Sequence, residues 1–127
     1  MEQLSNKALA HRAAELCLAK KGEDVMILDL RGLSSVTDFF VIASASSNVH
    51  VKAVADFVQS ELLKIEVKPK VKPWHVEGAD TQRWMLLDFV NVVVHVFRTE
   101  TREYYSLERL WGDAPIEEIT DEGTAGS

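Results

Sequence analysis

The side chains of this chain that could bind a metal ion or transfer protons are its histidines, its carboxylates and one cysteine. His11, His50, His75 and His95 lie far apart, and none matches the HExxH pattern that places two zinc ligands on one helix turn. Cys17 is the only cysteine, which excludes an internal disulfide and any multi-cysteine metal site. We therefore predict no metal, no cofactor and no catalytic residue.

A small polar loop at residues 44–48 is the second place where chemistry could occur. It follows a predicted strand and precedes a predicted helix, an arrangement that can bind anions and that also opens the nucleotidyltransferase fold. Those enzymes need two carboxylates two positions apart to hold Mg²⁺, and no two acidic residues of this chain have that spacing. A turn and a helix cap are favoured over an anion site, with a nucleotide-binding domain kept as the alternative.

The most apolar stretch, residues 83–97, predicts the centre of the fold. Two short apolar runs flank Asp88 and Asn91, so we predict an antiparallel hairpin with its turn at 88–91. Val90 resists a positive φ because it is β-branched, so we assign the left-handed position to Asn91. His95 alternates with valines and is expected to find a hydrogen-bond partner in the core.

The remaining elements follow from periodicity and capping residues. Amphipathic helices are predicted at 5–21 and 48–66, strands at 24–30 and 38–45, an edge strand of alternating lysines and prolines at 68–73, and a last helix at 104–111. The order α-β-β-α-β-β-β-α predicts an α/β (α+β) fold, a single mixed five-stranded sheet with helices packed on it. The domain is predicted to span 1–112, and the acidic segment 113–127 is predicted to be a disordered tail.

The composition is that of a single globular domain of 127 residues with a net charge of -6. The excess of acidic residues argues against binding the nucleic-acid backbone and is compatible with a basic protein partner. No apolar run approaches the roughly 20 residues of a membrane span, and the first residues show no secretory signal, so we expect a cytoplasmic protein.

Aromatic and charged residues cluster around the predicted hairpin and the last helix. Protein interfaces favour Trp and Tyr as anchors, whereas a small core also uses such residues. Both interpretations remain open for most of them. Trp84 and Tyr105 are the preferred surface anchors, because their neighbours already complete the core pattern.

Several of these segments together resemble the Iojap-like family of ribosomal silencing factors, over roughly residues 5–111. The resemblance is carried by DFFVI at 38–42, SSNVH at 46–50, AVAD at 53–56, Glu77-Gly78, Trp84, Leu87-Asp88, VVVHVF at 92–97 and REYYSLERLW at 102–111. One departure is the hairpin turn, where the family usually has Gly-Asp and this chain has Val90-Asn91.

The resemblance implies a fold related to the nucleotidyltransferases without their catalytic carboxylates, and a role that is not enzymatic. It implies binding to the large ribosomal subunit through its fourteenth ribosomal protein. A factor bound there would block joining of the small subunit and repress translation when nutrients are limited. A role in large-subunit assembly is an alternative, and so is a homodimer that uses the aromatic patch as its interface.

The resemblance and the aromatic pattern together give the predicted binding residues. An exposed patch from the hairpin and the last helix is expected to contact the ribosomal protein. Its predicted centre consists of Trp84, Asp88, Tyr105 and Glu108, and its rim of His75, Glu77 and Asp80.

Overall fold

A mixed seven-stranded sheet with the strand order β3-β4-β5-β2-β1-β6-β7 organises the fold. The computed structural model describes residues 4–120 and 123–125. Its elements are α1 (Asn6–Ala19), β1 (Glu23–Asp29), β2 (Phe39–Ala45), α2 (Asn48–Leu63), β3 (His75–Glu77), β4 (Trp84–Asp88), β5 (Val92–Arg98), α3 (Thr99–Tyr105), α4 (Leu107–Leu110), β6 (Ile116–Thr120) and β7 (Gly123–Ala125). No helix in the described ranges is long and apolar enough to cross a membrane.

The two central strands, β2 and β5, are the only neighbours in the described sheet that run parallel. Every residue from Val92 to Phe97 of β5 is buried, so this strand faces protein on both sides. The predicted hairpin is confirmed, because β4 and β5 pair antiparallel from Trp84 opposite Phe97 to Asp88 opposite Val93. The mixed sheet is also confirmed, although it has seven strands where five were predicted.

One face of the sheet is covered by α1 and α2. The Ser5 and Ser47 side chains cap these helices by accepting hydrogen bonds from the Ala8 and His50 backbone N–H groups, as the sequence indicates. The apolar stripes of the helices meet alternate strand residues, and Cys17 belongs to this core. Burial raises the pKa of the Cys17 thiol to about 12, so it behaves as a small apolar residue.

The opposite face is covered over only part of its area. The predicted last helix is two short helices, α3 and α4, because Ser106 adopts a left-handed conformation with φ of 47° between them. Leu107, Ala114 and Trp111 pack with Leu28, Ile42 and Phe97 into a second, smaller core. Along β3 and β4 the residues of this face are half-buried or exposed.

The lysine-rich segment 68–73 is not a strand, which corrects the sequence interpretation. The alternation of Lys68, Lys70 and Lys72 with prolines imitates an edge strand, but prolines cannot donate to a β-ladder. The strand at this edge is β3, three residues long, whose His75 lies opposite Asp88 of β4.

The acidic C-terminal segment also differs from its prediction. Residues 116–120 form β6, which pairs antiparallel with the outer edge of β1, where disorder was predicted. Ile119 is buried in the helix-covered core, and the Glu117 carboxylate accepts a hydrogen bond from His11 Nε2 at 2.9 Å. Burial opposes protonation of His11, but its hydrogen bonds to Glu117 and to the Lys7 carbonyl raise its pKa. Residues 121, 122, 126 and 127 of the predicted tail lie outside the described part.

The hairpin turn places Val90 in the left-handed region, with φ of 77°, whereas Asn91 is not among the residues with positive φ. The assignment of this position to Asn91 was therefore wrong. The Asp88 carboxylate accepts the Val90 backbone N–H at 2.8 Å, and the Phe89 N–H donates to the Val92 carbonyl. These bonds hold a β-branched residue in a conformation that costs it about 1–2 kcal/mol.

Replacing Ile119 by alanine tests whether β6 is part of the folded domain. Ile119 is 7% exposed and Ile116 of the same strand is 49% exposed. We expect Ile119→Ala to lower the free energy of unfolding by about 2 kcal/mol and Ile116→Ala to change it by less than about 0.5 kcal/mol. Urea unfolding measures both, and equal small effects would mean that this segment contributes no core.

Replacing Val90 by glycine tests the strain in the turn. Glycine adopts positive φ without steric cost, and the Val90 side chain is half exposed, so little burial is lost. We expect Val90→Gly to raise the free energy of unfolding by about 1 kcal/mol. Asn91→Gly is the matched control and should lower it, because no positive φ is relieved there. A destabilised Val90→Gly variant would show that the turn is not strained.

Candidate functional site

The partly covered face of the sheet, opposite α1 and α2, carries most of the residues predicted to bind a partner. Alternate residues of β4 (Trp84, Leu86, Asp88) share this face with alternate residues of β5 (Val93, His95, Phe97), because these positions pair across the ladder. His75 and Glu77 of β3 lie opposite Asp88 and Leu86, so the register places them on the same face. We call this surface the open face.

A hydrogen bond between two aromatic side chains fixes the middle of the open face. The indole Nε1–H of Trp84 donates to Nδ1 of His95 at 3.0 Å. Because an indole nitrogen can only donate, Nδ1 is unprotonated and the His95 proton lies on Nε2. His95 is 3% exposed, and burial lowers its pKa to about 3, so the ring stays neutral at physiological pH.

An aromatic ridge, formed by Trp84, Tyr104 and Tyr105, stands at one end of the open face. The Trp84 ring stacks on buried Phe97 with a centroid distance of 4.6 Å and contacts Tyr105 at 4.9 Å. Tyr104 and Tyr105 are exposed, and Trp84 is half-buried. The structure therefore brings Trp84 and Tyr105 together, with Trp84 supporting the fold and Tyr105 presenting accessible aromatic surface.

An apolar groove of about 460 Å³ occupies the other end of the open face. Its floor is formed by the open-face residues of β2, β4 and β5, and its sides by the connectors on either side. The groove is lined by Ser34, Val36, Thr37, Phe40, Trp74, Leu86, Asp88, Val90, Val93, His95 and Trp111. The volume is within the range of sites that hold a small molecule or a few inserted side chains.

Two buried side-chain atoms of residues that line this groove lack a hydrogen-bond partner. They are Nε2 of His95 and the hydroxyl oxygen of Thr37, and the described residues contain only one other such side-chain atom, Oε1 of Glu108. An unpaired buried polar group costs about 1–3 kcal/mol, so native structures rarely retain one without a reason.

The rim residues of the predicted patch are exposed, and two of the three are acidic. His75 and Glu77 form a hydrogen bond of 2.8 Å between Nε2 and the carboxylate, and Asp80 lies exposed in the connection from β3 to β4. Asp88 is half-buried at the end of β4, where it caps the turn and lines the groove. The structure therefore places acidic groups beside an apolar surface.

Glu108 lies apart from the other predicted residues. Its carboxylate accepts a hydrogen bond at 3.3 Å from Nε of Arg102, a buried guanidinium that also donates to the Asp24 carbonyl and the Ser44 hydroxyl. This position ties α3 and α4 to β1 and β2. The structure therefore gives Glu108 a structural contact, and its predicted role in partner binding stays a prediction.

The sequence interpretation missed most residues of the groove. Val36, Phe40, Leu86 and Val93 were not selected as site residues, because apolar residues in or beside strands are ordinarily assigned to the core. A signal was nevertheless present: residues 38–45 are apolar on both faces, and the chain has too few amphipathic helices to cover both. In the described part of the chain, no group of three or more His, Cys, Asp or Glu side chains could hold a metal ion.

The pKa of His95 gives a prediction about pH and stability. The pKa of about 3 in the folded protein lies below the ordinary histidine pKa of about 6.5, so the unfolded chain binds this proton first as the pH falls. Between pH 6.5 and 3 this group should cost the fold up to about 1.4 kcal/mol per pH unit. The gap in free energy of unfolding between the parent and His95→Asn, which cannot titrate, should narrow by about 2 kcal/mol from pH 6.5 to pH 5.

Nuclear magnetic resonance of labelled histidine measures the same property directly. We expect the His95 ring signals to show the tautomer protonated at Nε2 and to remain constant from pH 7 to pH 4. A titration midpoint near pH 6 would contradict the buried, neutral state.

The family model described as "Ribosomal silencing factor during starvation" matches residues 3–126. The ribosomal silencing factor of Bacillus subtilis is 38% identical over 116 residues, which cover 91% of this chain and 95% of that protein. The mouse protein named "Mitochondrial assembly of ribosomal large subunit protein 1" is 34% identical over 94 residues, which cover 72% of this chain and 40% of that protein.

Solved structures show the same fold. A crystal structure of a Chromobacterium violaceum protein matches with a TM-score of 0.78 and 33% identity, covering 87% of this chain and 88% of that one. A Bacillus halodurans structure matches with a TM-score of 0.67 and 37% identity, covering 84% and 95% of the two chains. The sequence, the fold and the family match agree, and the chain belongs to the family of ribosomal silencing factors.

Proposed function

We propose that this protein binds the large ribosomal subunit through its fourteenth ribosomal protein and prevents the small subunit from joining. In this proposal it acts in the cytoplasm and represses translation when nutrients are limited. The observation that carries the proposal is the open face, an accessible aromatic and apolar surface in a member of the silencing-factor family. The mechanism is steric, because the bound domain occupies space that the small subunit needs.

The chemistry of the open face suits a basic protein partner. Tyr105 and Trp84 provide the aromatic surface that interfaces use as anchors. Asp88, Glu77 and Asp80 surround this surface with carboxylates, and the whole chain carries a net charge of -6. Ribosomal proteins are commonly basic because they contact RNA, so opposite charges would favour the encounter.

Large-subunit assembly is the second candidate function. The mouse relative is named for assembly of the mitochondrial large subunit, whereas the Bacillus subtilis relative is named a silencing factor. Binding to a large subunit is compatible with both roles, since an assembly factor also occupies a surface that must stay unjoined. Deleting the protein distinguishes the two roles. Maturation of the large subunit should slow if the protein is an assembly factor, whereas only the repression of translation should be lost if it is a silencing factor.

The nucleotide-binding alternative is disfavoured by the contacts of the 44–48 loop. The Ser44 hydroxyl accepts from Arg102, the Ser47 hydroxyl caps α2, and the Asn48 amide contacts the Thr81 carbonyl and the Arg98 guanidinium. These polar groups are therefore engaged within the chain. We propose a role that is not enzymatic, as the family description of a silencing factor also suggests.

Co-sedimentation with purified ribosomal subunits tests the proposal. We expect the protein to travel with the large subunit and not with the small subunit on a sucrose gradient. Added small subunits should then fail to form the joined ribosome. If the protein stays at the top of the gradient, or if the subunits join normally in its presence, the proposed function is wrong.

Tyr105→Ala tests the aromatic ridge within this proposal. Tyr105 is 48% exposed, so its removal should leave the fold intact while removing a central anchor. We expect affinity for the large subunit to fall by about thirtyfold, equivalent to about 2 kcal/mol. Leu63→Ala is the control, because Leu63 is 45% exposed on α2, in the helical layer behind the sheet. Equal affinities for the two variants would remove Tyr105 from the binding surface.

A further inference from the structure

The apolar groove at the end of the open face has the composition of a site for an inserted side chain. Phe40, Leu86 and Val93 form an apolar floor, and Trp74 and Val36 stand exposed on its sides. Trp111 contacts Phe40 edge to face with a centroid distance of 6.3 Å. Large accessible apolar surfaces of this kind on a soluble domain usually mark an interaction site.

The unpaired polar atoms of His95 and Thr37 indicate that an occupant of the groove should carry hydrogen-bonding groups. The proton on Nε2 of His95 follows from the Trp84 bond to Nδ1, so the unpaired atom is a donor and calls for an acceptor. Thr37 adds a second unpaired group in the same groove. A purely apolar occupant would leave both unpaired, whereas a peptide segment carries carbonyl oxygens along its backbone.

The charge of the groove points to a cationic occupant. Asp88 is its only carboxylate, and no lysine or arginine of the described residues lines it. One oxygen of Asp88 accepts the Val90 N–H, and the half-buried carboxylate remains in contact with the groove. A lysine or arginine beside an inserted apolar side chain would pair with the Asp88 carboxylate.

The strained turn also contributes to the groove. Val90 lies in the left-handed conformation and its side chain lines the groove. A glycine would relieve the backbone strain but would remove apolar surface from the groove. Strained residues persist where the surrounding structure holds them and are concentrated at binding and catalytic sites.

We propose that this groove receives a segment of the basic ribosomal protein, which inserts one apolar side chain, places a lysine or arginine beside Asp88 and offers a backbone carbonyl to Nε2 of His95. This inference rests on the proposed function and specifies which part of the open face recognises the partner. Nε2 is covered in the free chain, so the bound carbonyl reaches it after a shift of the side chains at the groove floor.

Two variants with a matched control test the proposal against large ribosomal subunits. Val36 and Val49 are 79% and 76% exposed, but Val36 lines the groove and Val49 lies on α2. We expect Val36→Lys to weaken binding at least about tenfold, because the new lysine places a charge in an apolar site and repels the lysine or arginine of the inserted segment. Val49→Lys changes the net charge equally and should bind as the parent does.

Val90→Gly separates recognition from stability. We expect this variant to unfold at a higher urea concentration and yet bind the subunit about threefold more weakly, an opposition that general destabilisation cannot produce. If the parent and Val49→Lys bind while Val36→Lys and Val90→Gly bind equally well, the groove is not the recognition site and the proposed function stands. If the parent itself does not bind, the proposed function fails and this inference fails with it.

A second copy of this chain is the competing occupant. Sedimentation velocity of the free protein distinguishes it, because a groove filled by a second copy would give a dimer that Val36→Lys converts to monomer. A dimer lost in Val36→Lys, together with unchanged binding to the subunit, would overturn the proposal. A monomeric parent whose binding depends on Val36 supports it.

Discussion

The fold depends on a sheet whose central strands must be buried on both faces, while the described part of the chain forms only two long helices to cover them. β5 is buried at every position from Val92 to Phe97, so it needs protein on each side. The helices α1 and α2 pack together on one face and complete its core. The two short helices and the segment around Trp111 cover only part of the other, and the uncovered part is the candidate site.

The uncovered face is kept ordered by contacts within the sheet. The Trp84 indole donates to His95, stacks on Phe97 and contacts Tyr105, so one side chain links the core to the exposed ridge. His95 stays neutral because it is buried, and its single acceptor nitrogen is already used. Rigid aromatic side chains bind with a low loss of conformational entropy, which suits a surface that recognises another protein.

The sequence predicted the elements that depend on local patterns. Both helix caps, the hairpin and the apolar face of α2 followed from periodicity and from the serines before each helix. The conformation of the turn did not follow, because a local preference for Asn91 was outweighed by the hydrogen bond from the Val90 N–H to Asp88. Long-range pairing was also missed: Ile116 and Ile119 are too few to predict a strand, and β6 forms because β1 offers an unpaired edge.

The structure shows where the residues of the predicted patch lie, and their role in binding stays a prediction. The ladder register brings Trp84, Asp88, His75 and Glu77 onto one face, and Tyr105 joins them through its ring contact with Trp84. Glu108 was chosen from its place near the aromatic residues, but its carboxylate turns to buried Arg102. The groove could not be predicted, because whether Phe40 or Leu86 is covered depends on where the last helices end.

A cryo-electron microscopy map of this protein bound to the large ribosomal subunit tests the central claim most directly. The account predicts that the open face, with Tyr105 and the groove beside Val90, contacts the fourteenth ribosomal protein, while α1 and α2 face away from that contact. A map in which α1 and α2 contact the ribosome and the open face remains exposed to solvent would contradict it.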